Sequence, residues 1–339
     1  PATPLSAETG GKNAIILTAS GDRDHAIMNI VASAFGNAGQ KCSACSLLLV
    51  ERSVYEDKNF QDKLKDAATS MKVGSVWNPG NVVGPMITNK NDKLLKALEL
   101  EKGESWLVPP RFLDKHKYVL APTVKWGVRP GNYSFRTELF GPMLSVVCIE
   151  NLQQGINWVN SLDYGLTSGL QSLDEGEQKL WKDSIMAGNL YINRGITGAI
   201  VNRQPFGGMK LSAFGGGVKA GGPNYCACFV KITDKLGSTT DYTQSYVKAY
   251  EQEFAHARDV NNLYGEQNAF RYLPLKNMVL RLFPGDNNED AKMIALAARI
   301  CHTPLSISFE PGDDRTAALA SLGCPLKEEA LAGFLKSMK

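Results

Sequence analysis

Cys42 has a residue type and surroundings suited to nucleophilic catalysis. It lies in the stretch GNAGQKCSACS at 36–46, where its neighbours are small or polar. A nucleophilic thiol needs an open approach, a lowered pKa and N–H donors for the oxyanion that it creates. Small neighbours give the approach, and a turn after a helix can give the donors. A buried structural cysteine fits the composition equally well, so this stretch alone leaves both interpretations open.

Glu8 is the second residue that could do chemistry. It precedes Gly10 and Gly11, which lead into the apolar run NAIIL at 13–17. Active sites of α/β folds gather at an edge of the sheet, where a carboxylate can take a proton from water. Taken alone, however, this residue is better explained as a solvated glutamate in a turn.

Strand-like and helix-like segments alternate over the first half of the chain. The apolar runs predict strands and the helical spacing predicts helices between them. The alternation indicates an α/β fold with a mostly parallel sheet and flanking helices. The expected strands are 13–17, 45–51, 142–150, 166–173 and 188–193, and the expected helices are 22–39, 53–70, 90–102, 151–161 and 174–186.

In the second half of the chain, a glycine-rich stretch interrupts the alternation of strand-like and helix-like segments. A glycine-rich loop at 194–223 is long enough to be functional. A strand is expected at 225–234 and a linker with a helix at 236–262. From 278 onwards a βαβα pattern follows, with too few elements to cover both faces of a sheet. We therefore expect a truncated α/β unit, or one that packs on something else.

Four motifs, in order along the chain, resemble those of the aldehyde dehydrogenase superfamily. The first two are ETGGK at 8–12 and GQKCSA at 39–44. The others are TELFGPMLSV at 137–146 and QPFGGMKLSAFG at 204–215. The resemblance implies that Cys42 is the catalytic cysteine and that Glu8 activates water. It also implies NAD as cofactor, with Glu138 on the nicotinamide ribose, Phe140 beside the ribose and nicotinamide, and Gly10 in the same site.

A narrower resemblance points to the L-glutamate γ-semialdehyde dehydrogenase branch. The segments AFGNAGQKCSA, TGAIVNRQPFGG and KAGGPNY carry it, and 264–282 is similar to the matching region of proline utilisation A proteins. By resemblance, Ser43, Gly198 and Ala199 would anchor the substrate carboxylate, for which backbone N–H groups are suitable donors. Phe35 and Phe206 would sandwich the methylene chain, although plain core packing explains both equally well.

The function implied is NAD-dependent oxidation of L-glutamate γ-semialdehyde, formed from pyrroline-5-carboxylate, to L-glutamate through a cysteine thioester, in proline catabolism. One alternative is a dehydrogenase for another aldehyde, or one with coenzyme A as acyl acceptor. Another is a non-catalytic oligomerisation or scaffold domain. Glu8 argues against an acceptor other than water, and the Gly198–Ala199 pair argues for a carboxylated substrate.

The expected domains are a catalytic domain at 1–225, an oligomerisation strand and linker at 226–262, and a partial C-terminal α/β unit at 263–339. The family has most of its NAD-binding domain, and an asparagine for the oxyanion, upstream of the glutamate motif. We find no counterpart of either here. The chain is therefore expected to be a fragment with little activity by itself.

Composition restricts the partners. The net charge of +3 gives no electrostatic case for nucleic acid, and no apolar run is long enough to cross a bilayer. Seven cysteines in a chain of 339 residues favour a reducing, cytoplasmic compartment. No metal site is expected, because the CxxC pair and the four histidines have no partners at ligand spacing. The exposed strand at 225–234 predicts a homo-oligomer, at least a dimer. The parent could also carry a proline dehydrogenase module.

Overall fold

The fold is that of a computed structural model, which describes residues 5–215, 218–231, 242–313 and 315–337. The chain divides into two compact units, Pro1–Cys228 and Phe229–Lys339. The predicted three-part division, with boundaries after 225 and 262, stays a prediction. No helix of the described residues is both long and apolar enough to cross a membrane.

The first unit alternates strands and helices as its apolar pattern predicts. Its strands are β1 (Ala7–Glu8), β2 (Asn13–Leu17), β3 (Cys45–Glu51), β4 (Ser105–Val108), β5 (Thr123–Trp126), β6 (Met143–Ile149), β7 (Tyr164–Gly165), β8 (Thr167–Gln171), β9 (Asn189–Ile192), β10 (Met209–Lys210) and β11 (Ala213–Phe214). Its α-helices are α1 (Arg23–Phe35), α2 (Arg52–Tyr55), α3 (Lys58–Ser70), α4 (Asp92–Ala97), α5 (Tyr133–Arg136), α6 (Leu152–Asn160) and α7 (Glu175–Ser184).

A central sheet organises this unit. In the part of the chain that the structure describes, it has seven strands in the order β4-β5-β6-β3-β2-β8-β9. Only β4 runs antiparallel to its neighbour. The predicted mostly parallel α/β fold is confirmed. The short strands β1 and β11 form one antiparallel pair, and β7 and β10 form another.

Both faces of the sheet are covered, which explains why its strands are continuous apolar runs rather than alternating ones. In β2, Ile15 and Leu17 belong to a core shared with α1 and α3. Ala14 and Ile16 point to the opposite face and belong to a core shared with α6 and α7. Successive side chains of a strand point to opposite faces, so one apolar run serves two cores.

Some predicted boundaries differ from the structure. The helix expected at 53–70 is two helices, because Asp57 caps a new N-terminus by accepting a hydrogen bond from the Asn59 N–H. The helix expected at 90–102 is only α4. The edge strands β4 and β5 were not predicted, because four-residue strands give little periodic signal.

The predicted strand at 225–234 is wrong where the structure describes it. Tyr225–Phe229 form a 3₁₀ helix, and residues 232–234 lie outside the described residues. The Tyr225 N–H donates to Gly222 O at 3.3 Å and the Ala227 N–H to Asn224 O at 3.0 Å. A strand needs a neighbour for its ladder hydrogen bonds, and here local turns satisfy the backbone instead.

The second unit is a smaller α/β layer. Its strands are β12 (Met278–Arg281), β13 (Leu305–Phe309) and β14 (Leu326–Glu328), and its helices are α8 (Tyr242–Ala249), α9 (Asn288–Ile300), α10 (Thr316–Ala320) and α11 (Leu331–Ser337). A π-helical turn, Tyr250–Phe254, follows α8. The strands pair in parallel in the order β12-β13-β14. The βαβα pattern expected from 278 onwards is present as β12, α9, β13 and α10, whereas β14 and α11 were not predicted.

Candidate active site

The predicted catalytic residues meet at the amino edge of the central sheet. Glu8 lies in β1, shortly before β2 begins, and Cys42 lies just before β3 begins. Glu138 lies in the segment that leads into β6. Because β2, β3 and β6 are parallel, the residues before them share one edge. Open α/β sheets usually bind ligands at the opposite, carboxyl edge, so the general rule does not locate this site.

Cys42 is exposed on a tight turn. The Ala44 N–H donates to Lys41 O at 2.9 Å and closes that turn. Between α1 and this turn the backbone is left-handed at Asn37, Ala38 and Gly39, with φ of 56°, 54° and 66°. A Cβ at position 39 would overlap the Gly141 carbonyl, so both the close approach and the φ require glycine there.

Asn13 holds the cysteine turn in place. Its Nδ2 donates to Cys42 O at 2.7 Å and to Ala44 O at 3.0 Å. Its Oδ1 accepts from the Thr167 N–H at 3.0 Å. Asn13 is 2% exposed, and its bonds to Ala44 O and to the Thr167 N–H are buried, whereas the bond to Cys42 O is partly buried. No role was predicted for Asn13, because its place in the sequence pattern indicates only the start of a strand.

The electrostatic surroundings of the Cys42 thiol differ from the expectation of a lowered pKa. Partial burial raises its pKa, and the carboxylates of Glu138 and Glu8 add to the rise. The backbone N–H groups of Ser43 and Cys42 act in the opposite direction. Backbone N–H groups in such a position can donate to an oxyanion. The site therefore has access and donors, while burial and the two carboxylates act against the thiolate form.

The Glu8 carboxylate is held by backbone. Its Oε2 accepts from the Gly208 N–H at 2.9 Å, and β1 pairs Glu8 with Ala213. Partial burial raises the Glu8 pKa, while the Gly208 N–H and the Lys219 ammonium counteract it. Glu8 raises the Cys42 pKa in turn, which shows that the carboxylate and the thiol lie within electrostatic range. A carboxylate with a raised pKa is suited to accept a proton near neutral pH.

Glu138 lies against the glycines that separate Glu8 from the sheet. Its Oε1 accepts from the Gly11 N–H at 3.0 Å. A Cβ at Gly10 would come within 2.6 Å of Glu138 Oε2, so a side chain at position 10 would displace the Glu138 carboxylate. Phe140 has a φ of 49° and is 37% exposed. The structure thus brings the three predicted cofactor residues to one place, with the Phe140 ring open to solvent.

Two further ionisable groups lie buried beside the site. Lys12 is 3% exposed, and burial lowers its pKa to about 7, although the charges of Cys45 and Glu138 act to raise it. Burial raises the pKa of the Cys45 thiol to about 12. Cys45 is therefore an inert core thiol, and the two cysteines of the CxxC pair have opposite environments. Among the described residues no three His, Cys, Asp or Glu side chains group as metal ligands.

The predicted substrate residues fall into two groups. Gly198 is exposed with a φ of 87°, and a Cβ there would meet no described atom within 4 Å. Ala199 is half-buried beside it, Ser43 is buried behind Cys42, and Phe206 is half-buried in a β-bridge with Ala220. By contrast, Phe35 is 0% exposed inside the core beneath α1. Its burial favours core packing, the alternative already open for this residue.

A family model described as the aldehyde dehydrogenase family matches residues 1–234. The chain belongs to the aldehyde dehydrogenase family. The resemblance predicted from the four motifs is confirmed, and so is the fold class.

Several aldehyde dehydrogenase relatives extend this finding. A 1-pyrroline-5-carboxylate dehydrogenase of Geobacillus kaustophilus is 36% identical over 221 residues, which are 65% of this chain and 42% of the relative. The solved structure of proline utilization A from Corynebacterium freiburgense has a TM-score of 0.81 and 38% identity, and the match covers 96% of this chain and 37% of that one. A 1-pyrroline-5-carboxylate dehydrogenase from Thermus with bound NAD has a TM-score of 0.62 and 35% identity, over 67% of this chain and 43% of that one. This aldehyde dehydrogenase chain thus spans less than half the length of these three proteins.

Proposed function

We propose that this chain carries the cysteine and glutamate part of an NAD-dependent dehydrogenase that oxidises L-glutamate γ-semialdehyde, formed from pyrroline-5-carboxylate, to L-glutamate. The observation that carries the proposal is that the exposed Cys42 thiol and the Glu8 carboxylate lie at the same edge of the central sheet. The names of its relatives support the substrate, and so does the open backbone at Gly198 beside Ala199, which suits a carboxylate.

The residues of this chain have defined tasks in that reaction. The Cys42 thiolate attacks the aldehyde carbon, and the N–H groups of Cys42 and Ser43 face the developing oxyanion. A bound NAD would supply the acceptor for the hydride. Cys42 would then hold the former aldehyde carbon as a thioester. Glu8 then takes a proton from water as the water attacks the thioester carbonyl. The products are the free acid and the regenerated thiol.

The cofactor fits the residues at this edge. The Glu138 carboxylate has one oxygen on the Gly11 N–H, and its second oxygen can accept from a ribose hydroxyl. Phe140 offers an exposed ring face for a flat, apolar group. Gly10 has no side chain, which allows the Glu138 carboxylate to lie against the backbone at this position.

Other parts of the proposal concern the parent protein. The proline utilization A neighbour, of which the match covers 37%, supports a parent that also carries a proline dehydrogenase module. A homo-oligomer and a cytoplasmic location remain predictions. The oligomer was predicted from an edge strand at 225–234. Because Tyr225–Phe229 form a 3₁₀ helix, that strand does not support the oligomer.

The test is NADH formation from NAD and pyrroline-5-carboxylate. It is run on this chain and on a polypeptide extended to the length of its relatives, each with Cys42→Ala as control. We expect activity in the extended form that Cys42→Ala abolishes. Oxidation of a different aldehyde only would refute the substrate, and no oxidation of any aldehyde would favour the scaffold alternative.

A further inference from the structure

Lys219 is a largely buried cation next to the Glu8 carboxylate. Its Nζ donates to Gly188 O and Gly207 O, both at 2.6 Å, and reaches Asn189 Oδ1 at 3.3 Å. An ammonium has three donors, and these three acceptors use all of them. Burial lowers the Lys219 pKa to about 8, and the Glu8 carboxylate is the group that favours its charged form.

One peptide group connects Lys219 to Glu8. The Gly207 carbonyl accepts from the Lys219 ammonium, and the N–H of the same peptide, that of Gly208, donates to Glu8 Oε2 at 2.9 Å. A positive charge on the carbonyl side polarises the peptide and strengthens its N–H as a donor. Lys219 therefore stabilises the Glu8 carboxylate in two ways: directly by its charge, and indirectly through the hydrogen bonds of the Gly207–Gly208 peptide.

The packing leaves this peptide no alternative position. A Cβ at Gly188 would overlap the Gly207 carbonyl oxygen, and a Cβ at Gly207 would come within 3.3 Å of Glu8 Oε1 and 3.0 Å of the Lys219 Cγ. Position 188 therefore requires glycine, and a side chain at position 207 would press on the Lys219 side chain and on the Glu8 carboxylate. Lys219 thereby fixes the position of the Gly208 N–H and, through it, the direction of the Glu8 carboxylate.

We propose that Lys219 is a positioning residue for Glu8, which holds the carboxylate through the Gly207–Gly208 peptide and favours its ionised form. The role rests on the proposed function, because it matters only if Glu8 takes a proton from water. Among the described residues, the side-chain charge that acts on Glu8 is Lys219. Cys42 lies within range of both Glu8 and Glu138.

An activated ester isolates the relevant half of the reaction. Attack of the Cys42 thiolate on p-nitrophenyl acetate releases p-nitrophenolate and leaves an acetyl thioester, which water hydrolyses to acetate. No hydride is transferred, so neither NAD nor an aldehyde is needed. The exposed thiols of Cys226 and Cys228 can also be acylated, so the part of the p-nitrophenolate burst that Cys42→Ala removes counts reactive Cys42. The steady rate that Cys42→Ala removes measures hydrolysis of the thioester. The variants are Lys219→Met, Lys219→Gln and Lys219→Arg, with exposed Lys179→Met as the matched control.

We expect the wild-type burst amplitude in every Lys219 variant. In Lys219→Met the hydrolysis rate at pH 7 should fall about tenfold, since a misplaced base loses much of its effect. Its acid midpoint should move up by about half a pH unit to one unit, because loss of the cation raises the Glu8 pKa. Lys219→Gln keeps a donor but no charge and should show the shifted midpoint. Lys219→Arg should restore it, and Lys179→Met should behave as wild type.

The outcomes separate the two proposals. A wild-type burst with unchanged hydrolysis in Lys219→Met and Lys219→Gln overturns the role of Lys219 alone. A missing burst in wild type, or a burst that Cys42→Ala retains, overturns the proposed function and this role with it. If Lys219→Met loses burst amplitude because it folds poorly, the midpoints of the Gln and Arg variants decide, and equal midpoints overturn the proposal.

Discussion

Replacing Asn13 by alanine should both destabilise the first unit and loosen the cysteine turn. The substitution leaves the carbonyls of Cys42 and Ala44 and the Thr167 N–H without their partner, in a place where Asn13 is 2% exposed. An orphaned buried backbone group costs about 1–3 kcal/mol. Some water can reach the turn from the exposed Cys42 side, so we take the lower end for each group. The expected loss is about 3 kcal/mol, a large part of the stability of an ordinary domain.

Urea unfolding measures the stability, and mass mapping of alkylated peptides measures the rate at which Cys42 reacts. Asn13→Ala should lower the free energy of unfolding by about 3 kcal/mol and change the Cys42 rate in the folded protein. The matched control is Asn81→Ala, since the Asn81 amide donates to a single carbonyl, Ser75 O at 2.9 Å, near the surface. It should lose no more than about 1 kcal/mol. Equal losses in the two variants, with an unchanged Cys42 rate, would refute the reasoning.

Three further outcomes are expected. Lys125→Met should lower the free energy of unfolding in urea by about 3 kcal/mol, because it leaves the fully buried Glu104 carboxylate without the ammonium that lies 2.8 Å away. Adding Glu104→Leu should recover most of the loss. Equal stability of the single and double variants would contradict this. Glu138→Gln should speed alkylation of Cys42 at pH 8 about twofold or more, because it removes a charge that raises the thiol pKa. The surface thiols in the same sample are the control. An unchanged ratio of the Cys42 rate to the surface-thiol rate would contradict the effect. The pKa of Lys12 in the folded protein is lowered to about 7. Between pH 7 and about 10, the unfolded chain therefore binds a proton that the folded chain has released. Because of this difference, the free energy of unfolding should rise with pH by up to about 1 kcal/mol per pH unit. Lys12→Met should flatten that slope in urea unfolding, and identical slopes would exclude Lys12 as its source.

Local patterns in the sequence were sufficient for the main strands and helices of the first unit. The run at 14–17 is apolar throughout because its side chains enter two cores, and this predicts a buried strand without knowledge of its neighbours. The same approach failed at 225–234. An apolar, β-branched composition is compatible with a strand, but whether a strand forms depends on a partner that the local sequence does not specify.

The sequence by itself determined the family and the residues that define it, because Cys42, Glu8 and Glu138 lie in motifs whose letters and order are specific. It also determined the α/β class, since periodicity is a local property of the chain. Only the tertiary structure decided that these residues meet at the amino edge of the sheet and that Phe35 is buried in the core. It also decided that Asn13 holds the Cys42 turn and that Lys219 lies beside Glu8. These last facts depend on contacts between residues far apart in the chain. Asn13 and Thr167 meet because β2 and β8 are neighbours in the sheet, and Lys219 reaches Glu8 through a glycine loop that folds back onto β1. Such contacts are set by packing and hydrogen-bond satisfaction over the whole unit, which no short stretch of sequence records.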